Sequence, residues 1–281
     1  MTGERQKRAA LLCDLSCAGR CSASAALPVL SAAGLECALL PTMLLSAHTG
    51  FPGAVKQPEA DFMRRTAAHW KALGLTFDII LVGYLGAPEA LEAAEGFVAD
   101  FRTDDTLLVV DPAMGDGGRL YGGYTADYPA RLARLAARAD VLLPNATEAA
   151  LLLGSAPDPA PGRAQTSALL GGLCALGPRR VAVTGLCFDE GRIAVAARDG
   201  QRAFTCDTPR VPRSFFGTGD LFAAVLTAAL ARGASFETSV RAACDFTALC
   251  AGRTAAAGGD ARFGVRFEDS LGELIGRLRD L

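Results

Sequence analysis

Short apolar runs alternate along the chain with longer segments in which apolar residues recur at helical spacing. This alternation predicts an α/β fold with a doubly wound, mostly parallel central sheet and helices on both faces. The predicted strands are 9–13, 35–43, 77–82, 106–110, 141–143 and 181–184. The predicted helices are 21–33, 59–73, 88–101, 126–137, one opened by 144–148 that runs to 153, 166–176, one that follows 217–220 and runs to 232, 236–256, and a short one from 269.

Near residue 200 the pattern changes to two apolar runs, 192–197 and 202–206, that flank Asp199 and Gly200. Asp-Gly between two such runs is a strong hairpin signal, so the sheet is expected to gain an antiparallel hairpin at one edge. The proline-rich segment 156–161 is a predicted surface loop, too short for a domain linker. Since no internal repeat is present, we predict a single domain over residues 1–281.

Composition narrows the class of protein without choosing a function. The chain has 281 residues, 51% hydrophobic and 21% charged, with a net charge of −2, so no broad basic field exists for nucleic acid or an anionic membrane. The opening segment 1–8 is basic, but Asp14 interrupts the apolar run behind it, and no run is long enough to span a bilayer. These features predict a cytoplasmic protein with no nucleic-acid or membrane partner.

The cysteines do not indicate a metal centre. There are nine of them, an odd number without a Cys-x-x-Cys pair, and only two histidines could join them. We expect reduced thiols that pack as small core residues.

The segment 213–220, Arg-Ser-Phe-Phe-Gly-Thr-Gly-Asp, runs directly into an apolar, alanine-rich helical pattern. Free backbone N–H groups and the helix dipole make such a helix start an anion site. Gly217 and Gly219 would let phosphate oxygens approach the backbone, and Thr218 adds a hydroxyl donor. From spacing alone, Asp220 is either a first-turn helix acid or a general base for a hydroxyl that attacks a phosphate.

Five other polar segments follow predicted strands, where the site of a parallel sheet is expected. In chain order the six motifs are Asp-Leu-Ser with a later glycine (14–19), Ser-Ala-His-Thr-Gly (46–50), Gly-Tyr-Leu-Gly (83–86), Asp-Pro-Ala-Met-Gly-Asp (111–116), Pro-Asn-Ala-Thr-Glu (144–148) and Gly-Thr-Gly-Asp (217–220). Together they resemble the pyridoxal kinase and hydroxymethylpyrimidine kinase group of the ribokinase-like superfamily, over about residues 9–250. The second, third and fourth motifs are most similar to pyridoxal kinases.

The resemblance implies ATP-dependent phosphorylation of the hydroxymethyl group of pyridoxal, pyridoxine or pyridoxamine. It makes Asp220 the catalytic base, beside an anion hole formed by Gly217, Thr218 and Gly219. The residues expected at the substrate are Asp14, Ser16, His48, Thr49 and Tyr84. His48 and Thr49 would hydrogen-bond substrate oxygens and Tyr84 would stack on the pyridine ring. The first loop lacks the Ser-His pair of many pyridoxal kinases, so Asp14 is either a substrate contact or a structural residue.

Three carboxylates, Asp111, Asp116 and Glu148, end or follow neighbouring strands, and their mutual repulsion suggests a cation between them. Magnesium suits oxygen ligands and a nucleotide triphosphate. Asn145 and Glu148 resemble the Asn-x-x-Glu motif that places magnesium in this superfamily, although Glu148 alone could be a first-turn helix acid. The predicted magnesium residues are Asp116 and Glu148, and the predicted nucleotide residues are Asp111, Tyr121, Asn145 and Thr184.

Two alternatives stay open at this point. One is a hydroxymethylpyrimidine (phosphate) kinase of thiamine synthesis, because its substrate is also a flat heteroaromatic ring with a hydroxymethyl arm. The other is a non-catalytic vitamin- or nucleotide-binding protein on the same fold. A sugar kinase is disfavoured because the early Gly-Gly-Asn loop is missing. The resemblance also implies a homodimer and leaves the use of a potassium ion open.

Overall fold

The computed structural model describes residues 5–281, so residues 1–4 of the basic opening segment, and of the predicted domain, lie outside the described residues. Nine strands form one sheet in the order β11-β10-β9-β8-β5-β4-β1-β2-β3. The strands of this sheet are β1 (Arg8–Ser16), β2 (Glu36–Leu45), β3 (Lys56–Pro58), β4 (Ile79–Val82), β5 (Leu107–Val110), β8 (Val141–Leu142), β9 (Arg180–Leu186), β10 (Arg192–Asp199) and β11 (Arg202–Pro209). The six strands from β9 to β2 are parallel, whereas β10 and β11 form an antiparallel hairpin at one edge. The predicted fold is confirmed.

Helices cover both faces of this sheet. They are α1 (Ala23–Ala32), α2 (Ala60–Ala72), α3 (Pro88–Phe101), α4 (Tyr128–Ala136), α5 (Ala146–Leu152), α6 (Arg163–Leu176), α7 (Thr218–Ala231), α8 (Phe236–Ala257) and α9 (Leu271–Arg279). Helices α1, α7, α8 and α9 enclose one core, and α2 to α6 enclose the other. Successive side chains of β1 enter opposite cores, because strand residues alternate between faces. Burial on both faces explains the continuous apolar runs of the central strands.

Several boundaries differ from the prediction. Strand β1 was predicted to end at residue 13 but continues to Ser16, because it stays paired with β2 beyond a bulge at Asp14. Helix α1 begins at Ala23 rather than at 21, since the preceding residue, Ser22, has φ 50°, which no α-helical residue adopts. Helix α6 begins three residues early, at Arg163.

Three short strands escaped the sequence analysis. Strand β3 pairs antiparallel with the end of β2, so the sheet also has an antiparallel strand at its other edge. Strands β6 (Gly115–Asp116) and β7 (Arg119–Leu120) form a separate small hairpin. Segments of two or three residues are too short for an apolar alternation to be recognised.

The fold brings the predicted site segments to one edge. The carboxyl ends of β1, β2, β4, β5, β8 and β9 lie at this edge, together with the first turns of α5 and α7. The proline-rich segment 156–161 is a loop, as predicted, and Pro159 lies beside Gly118 in the turn between β6 and β7. Within residues 5–281, no helix combines the length and the apolar character needed to cross a membrane.

Candidate active site

Asp220 lies in the first turn of α7, as the glycine pattern predicted. The N-cap residue is Gly217, whose φ of 77° is left-handed. A Cβ on Gly217 would lie 1.9 Å from the carbonyl oxygen of Arg20, so a close approach of the two backbones also requires glycine here. Among the described residues no side chain caps α7, and its first N–H groups are therefore available to an anion.

The Asp220 carboxylate is partly buried among other acids. Burial raises its pKa, and the Ser22 amide and the Cys21 thiol partly offset that shift. The Cys21 Sγ lies 3.4 Å from Asp220 Oδ2, within the range of a thiol donor. A carboxylate with a raised pKa is a stronger base once it is ionised, which suits the removal of a proton from a hydroxyl group.

A cavity of about 10 Å³ lies between Asp220 and Asp111, with Ser22, Cys13 and Gly83 also in its wall. A space of this size holds about one water molecule. Asp111 directly follows β5, and burial, followed by the charge of Asp220, raises its pKa well above the usual carboxyl range. The two acids therefore share one poorly solvated space, where a bound cation would favour their ionised forms.

Asp14 is almost fully buried, at 2% exposure, at the end of β1. The Ser16 hydroxyl donates to its Oδ2 at 2.9 Å, whereas its Oδ1 has no partner within residues 5–281. Burial is the main reason that its pKa rises to about 6. A buried oxygen without a hydrogen-bond partner raises the free energy of the folded state, so a hydrogen bond donated to it by a ligand is favourable.

His48, a predicted substrate residue, lies in the turn after β2 and is only 3% exposed. Its Nδ1 accepts from the Gly50 N–H at 3.1 Å, and its Nε2 contacts the carbonyl oxygen of Arg262, to which an Nε2–H would donate. The ring packs against Phe216 and Phe51, at centroid distances of 4.3 and 4.9 Å. Both nitrogens are thus engaged by backbone groups, so the predicted contact of His48 with substrate would require one of them to be released.

Thr49 and Tyr84 are two other predicted substrate residues. Thr49 is exposed beside His48. Tyr84 follows β4 and meets Tyr124 and Tyr121 at centroid distances of 6.0 and 6.4 Å. Its partly buried ring is available as a wall for a flat ligand.

The second helix start belongs to α5 and forms a complete capping box. Glu148 Oε2 accepts the Asn145 N–H at 2.8 Å, and Asn145 Oδ1 accepts the Glu148 N–H at 2.9 Å. Glu148 Oε1 also accepts the Met114 N–H at 3.1 Å. Thr184 forms an isolated β-bridge with Asn145, so these two predicted nucleotide residues are adjacent.

Four carboxylates of the site act on the pKa of Tyr121. Burial raises the pKa of Tyr121, and the charges of Glu148, Asp116, Asp111 and Asp220 raise it further. Asp116 is exposed, and its Oδ1 accepts the Gly117 N–H at 2.7 Å. Across residues 5–281, no three acidic, histidine or cysteine side chains are already arranged as a metal-binding group.

Sequence reasoning missed a segment that holds this site together. Residues 260–265 supply the Arg262 carbonyl that meets His48, the Phe263 carbonyl that accepts the Arg20 N–H, and the Val265 N–H that donates to the Phe216 carbonyl. A Cβ on Gly264 would lie 2.7 Å from the Arg20 carbonyl oxygen. Gly264 is the one sequence signal in this segment, but a glycine does not reveal which distant backbone it approaches.

Known proteins resemble this chain over most of its length. A family model described as phosphomethylpyrimidine kinase matches residues 21–262. A pyridoxine/pyridoxal/pyridoxamine kinase from Bordetella avium is 34% identical over 80% of this chain and 77% of its own length. A pyridoxal kinase from Leifsonia xyli is 32% identical over 79% of this chain and 81% of its own.

Solved structures give the same picture. A Bacteroides thetaiotaomicron protein assigned as a phosphomethylpyrimidine kinase, in a crystal form with pyridoxal, superimposes with a TM-score of 0.92 and 34% identity over 96% of both chains. The pyridoxal kinase of Lactobacillus plantarum superimposes with a TM-score of 0.89 and 33% identity, over 97% of this chain and 98% of its own.

Proposed function

The chain belongs to the phosphomethylpyrimidine kinase family, and we propose that it transfers the γ-phosphoryl group of ATP to the hydroxymethyl group of pyridoxal, pyridoxine or pyridoxamine. This result confirms the family that the six sequence motifs indicated. The observation that supports the proposal most strongly is Asp220 itself, an acid with a raised pKa beside a helix start that no described side chain caps.

The roles follow from where charge changes during the transfer. Asp220 would accept the proton of the substrate hydroxyl, and the N–H groups of Gly217, Thr218 and Gly219 would hold the phosphoryl oxygens. Transfer then forms a bond from the hydroxymethyl oxygen to the γ-phosphorus and breaks the bond to the leaving ADP oxygen. The orphaned Oδ1 of Asp14 is available to a donor on the ring, and Ser16 fixes the other oxygen of that carboxylate.

We propose magnesium as the companion of the nucleotide, with Asp116 and Glu148 to hold it and Asp111, Tyr121, Asn145 and Thr184 on the nucleotide side. The donor set fits, because its carboxylate oxygens are the ligands that magnesium prefers. Burial and then the charge of Asp111 raise the pKa of Glu148. A cation bound beside these two acids would stabilise their ionised forms. Magnesium would neutralise phosphate charge, while the residues named here bind and orient the nucleotide.

The substrate ring distinguishes this proposal from a hydroxymethylpyrimidine kinase, which the description of the family favours. Two relatives more than 30% identical are pyridoxine- or pyridoxal-type kinases, and the Bacteroides protein was crystallised with pyridoxal. These likenesses support a B6 vitamer as the substrate of this chain.

One experiment distinguishes a B6 kinase, a hydroxymethylpyrimidine kinase and a non-catalytic binding protein. The protein is incubated with magnesium-ATP and, separately, with pyridoxal, pyridoxine, pyridoxamine or hydroxymethylpyrimidine, and ADP and the phosphorylated product are separated by chromatography. We expect stoichiometric ADP and phosphorylated vitamer with the B6 compounds. Product from hydroxymethylpyrimidine alone would support the thiamine enzyme instead. Absence of ADP with every compound would favour the non-catalytic binding protein, and Asp220→Asn protein with the same magnesium-ATP serves as the background control.

Three further statements remain predictions: a single domain over 1–281, a homodimer and a cytoplasmic location. The sequence leaves the use of potassium open. Light scattering of the purified protein tests the dimer. Replacement of potassium by sodium in the assay tests the cation.

A further inference from the structure

The turn formed by residues 20–22 packs directly against the start of α7. The Arg20 carbonyl oxygen occupies the space that a side chain on Gly217 would need, and the Cys21 Sγ is 3.4 Å from Asp220 Oδ2. Through Cys21, the turn therefore donates a side-chain hydrogen bond to the proposed base.

The backbone of this turn is held without the help of the Cys21 side chain. Ser24 Oγ accepts the Cys21 N–H at 3.1 Å and lies 2.7 Å from the Cys21 carbonyl oxygen. The Arg20 N–H donates to the Phe263 carbonyl oxygen at 3.1 Å, and Arg20 forms a β-bridge with Gly264. A change of the thiol should therefore leave the path of the turn intact.

The backbone of the turn is strained at Ser22. This serine is the one non-glycine residue with a positive φ among residues 5–281, at φ 50° and ψ −125°. Such backbone strain persists only where surrounding contacts impose it, and it concentrates at functional sites. The Ser22 amide acts on the pKa of Asp220 in the same direction as the Cys21 thiol, since both lower it.

Most of the ionisable groups around Asp220 do not stabilise its ionised form. The ionisable groups on neighbouring elements that interact electrostatically with it are Cys13, Asp14, Cys21, His48, Asp111 and Tyr121. Asp14 and Asp111 repel the Asp220 charge. Burial, followed by Asp220, raises the pKa of Cys21, so its thiol stays protonated and is a donor at neutral pH.

We propose that Cys21 is a positioning residue whose thiol holds the Asp220 carboxylate in the orientation that faces the substrate hydroxyl. This inference rests on the proposed role of Asp220 as the base. The charges of Asp14 and Asp111 repel the Asp220 carboxylate, and the Cys21 thiol is the donor that holds it in place.

The test compares Cys21→Ala, which removes the donor, with Cys21→Ser, which keeps one. The loss of one hydrogen bond predicts a fall in kcat of about 3- to 10-fold for Cys21→Ala, with the KM for each substrate within about twofold of wild type. The acid limb of the kcat profile should move to higher pH, because the base loses a donor that favours its ionised form. Cys21→Ser should restore both kcat and the position of the acid limb.

Cys37→Ser is the matched control. Cys37 is also a partly buried thiol with a hydrogen bond, to the Leu35 carbonyl oxygen, but it lies near the amino end of β2, away from the carboxyl ends of the strands that form the site. Its kinetics should equal those of wild type. Thermal unfolding is measured for each variant, and Cys21→Val, which keeps bulk without a donor, replaces Cys21→Ala if the alanine variant unfolds.

Two results would overturn the inference while leaving the kinase function intact. One is an active Cys21→Ala protein with unchanged kcat and an unchanged acid limb. The other is an equal loss of kcat in the alanine and serine variants, which would assign Cys21 to packing. A wild-type protein that forms no ADP would instead remove the proposed function, and the inference with it.

Discussion

Two helices begin at the same edge of the sheet with an acid at the third helical position, yet their acids are bonded in different ways. In α5, Asn145 caps the helix and Glu148 returns the hydrogen bond, so both Glu148 oxygens accept backbone N–H groups. In α7, the N-cap is a glycine, and Asp220 takes no part in a capping box. The N-cap residue thus decides whether such an acid is tied to its own helix or left available to a ligand.

The expected consequence is a separation of activity from stability. Glu148 should matter to the folded state as well as to any bound cation, because its removal leaves buried N–H groups unpaired. Asp220 should matter to turnover and little to folding. Variants of these two acids and of residues packed near them test this difference.

The largest effect is expected for Asp220→Asn. This variant keeps the shape of the side chain but cannot accept the proton, so kcat should fall by about 10²- to 10⁴-fold. Coupled measurement of ADP release gives kcat, and thermal unfolding checks that the fold is retained. Turnover near the wild-type rate would remove Asp220 from the role of base.

The reverse pattern is expected for Glu148→Ala compared with Asp220→Ala. The loss of the capping box and of the contact with Met114 should lower the free energy of unfolding by about 1–3 kcal/mol. Asp220→Ala should leave that free energy unchanged or raise it, because a poorly solvated acid is removed. Urea unfolding measures both, and Glu148→Gln, which can still cap, is the control. Equal losses in the two alanine variants would contradict the contrast between the helices.

Ser22 offers a smaller test of where strain is stored. Asn145, at the start of α5, has an ordinary extended conformation at φ −77° and ψ 175°, whereas Ser22, opposite α7, does not. Ser22→Gly should therefore be more stable than Ser22→Ala by about 1–2 kcal/mol, since both lose the hydroxyl but only glycine tolerates the positive φ. Denaturant midpoints decide the sign, and a more stable alanine variant would argue against strain at this residue.

The smallest effect concerns pH and Asp14, which acts on Asp220. Its pKa of about 6 in the folded state exceeds the ordinary value near ~3.9, so the folded state binds the proton more tightly. The free energy of unfolding of wild type, compared with Asp14→Asn, should therefore rise by roughly 1 kcal/mol as the pH falls from about 7 to about 5.

Activity should change in the opposite direction over the same range of pH. Asp220, whose pKa is also raised by burial, takes up a proton as the pH falls and can then no longer act as a base. Unfolding curves at several pH values, together with kcat, check both trends. A parallel fall of stability in wild type and Asp14→Asn would show that Asp14 titrates normally.

The sequence was most informative where function depends on local pattern. The apolar runs predicted the central strands, Asp199 and Gly200 predicted the hairpin between β10 and β11, and the Asn-x-x-Glu spacing placed Asn145 and Glu148 at a helix start. In each case the signal and the structure lie within a few residues of each other, so local rules suffice.

The sequence was least informative where the site depends on distant partners. Nothing near His48 reveals that Arg262 would engage its second nitrogen, and nothing near Ser22 reveals a left-handed backbone, which a glycine would have signalled. Asp14 was predicted in a loop, but pairing of β1 with β2 carries the strand past it. These features result from contacts between segments far apart in the chain.

The segment 260–265 has a consequence for how the protein matures during synthesis. It contacts Arg20 and His48 from the early part of the chain and Phe216 from its late part, and so completes the packing around these residues. Since a nascent polypeptide emerges amino end first, the parallel strands can pair long before these contacts exist. Residues 260–265 must therefore leave the ribosome before this active site can assemble, and a translation product that stops short of them has a largely formed sheet and is still inert.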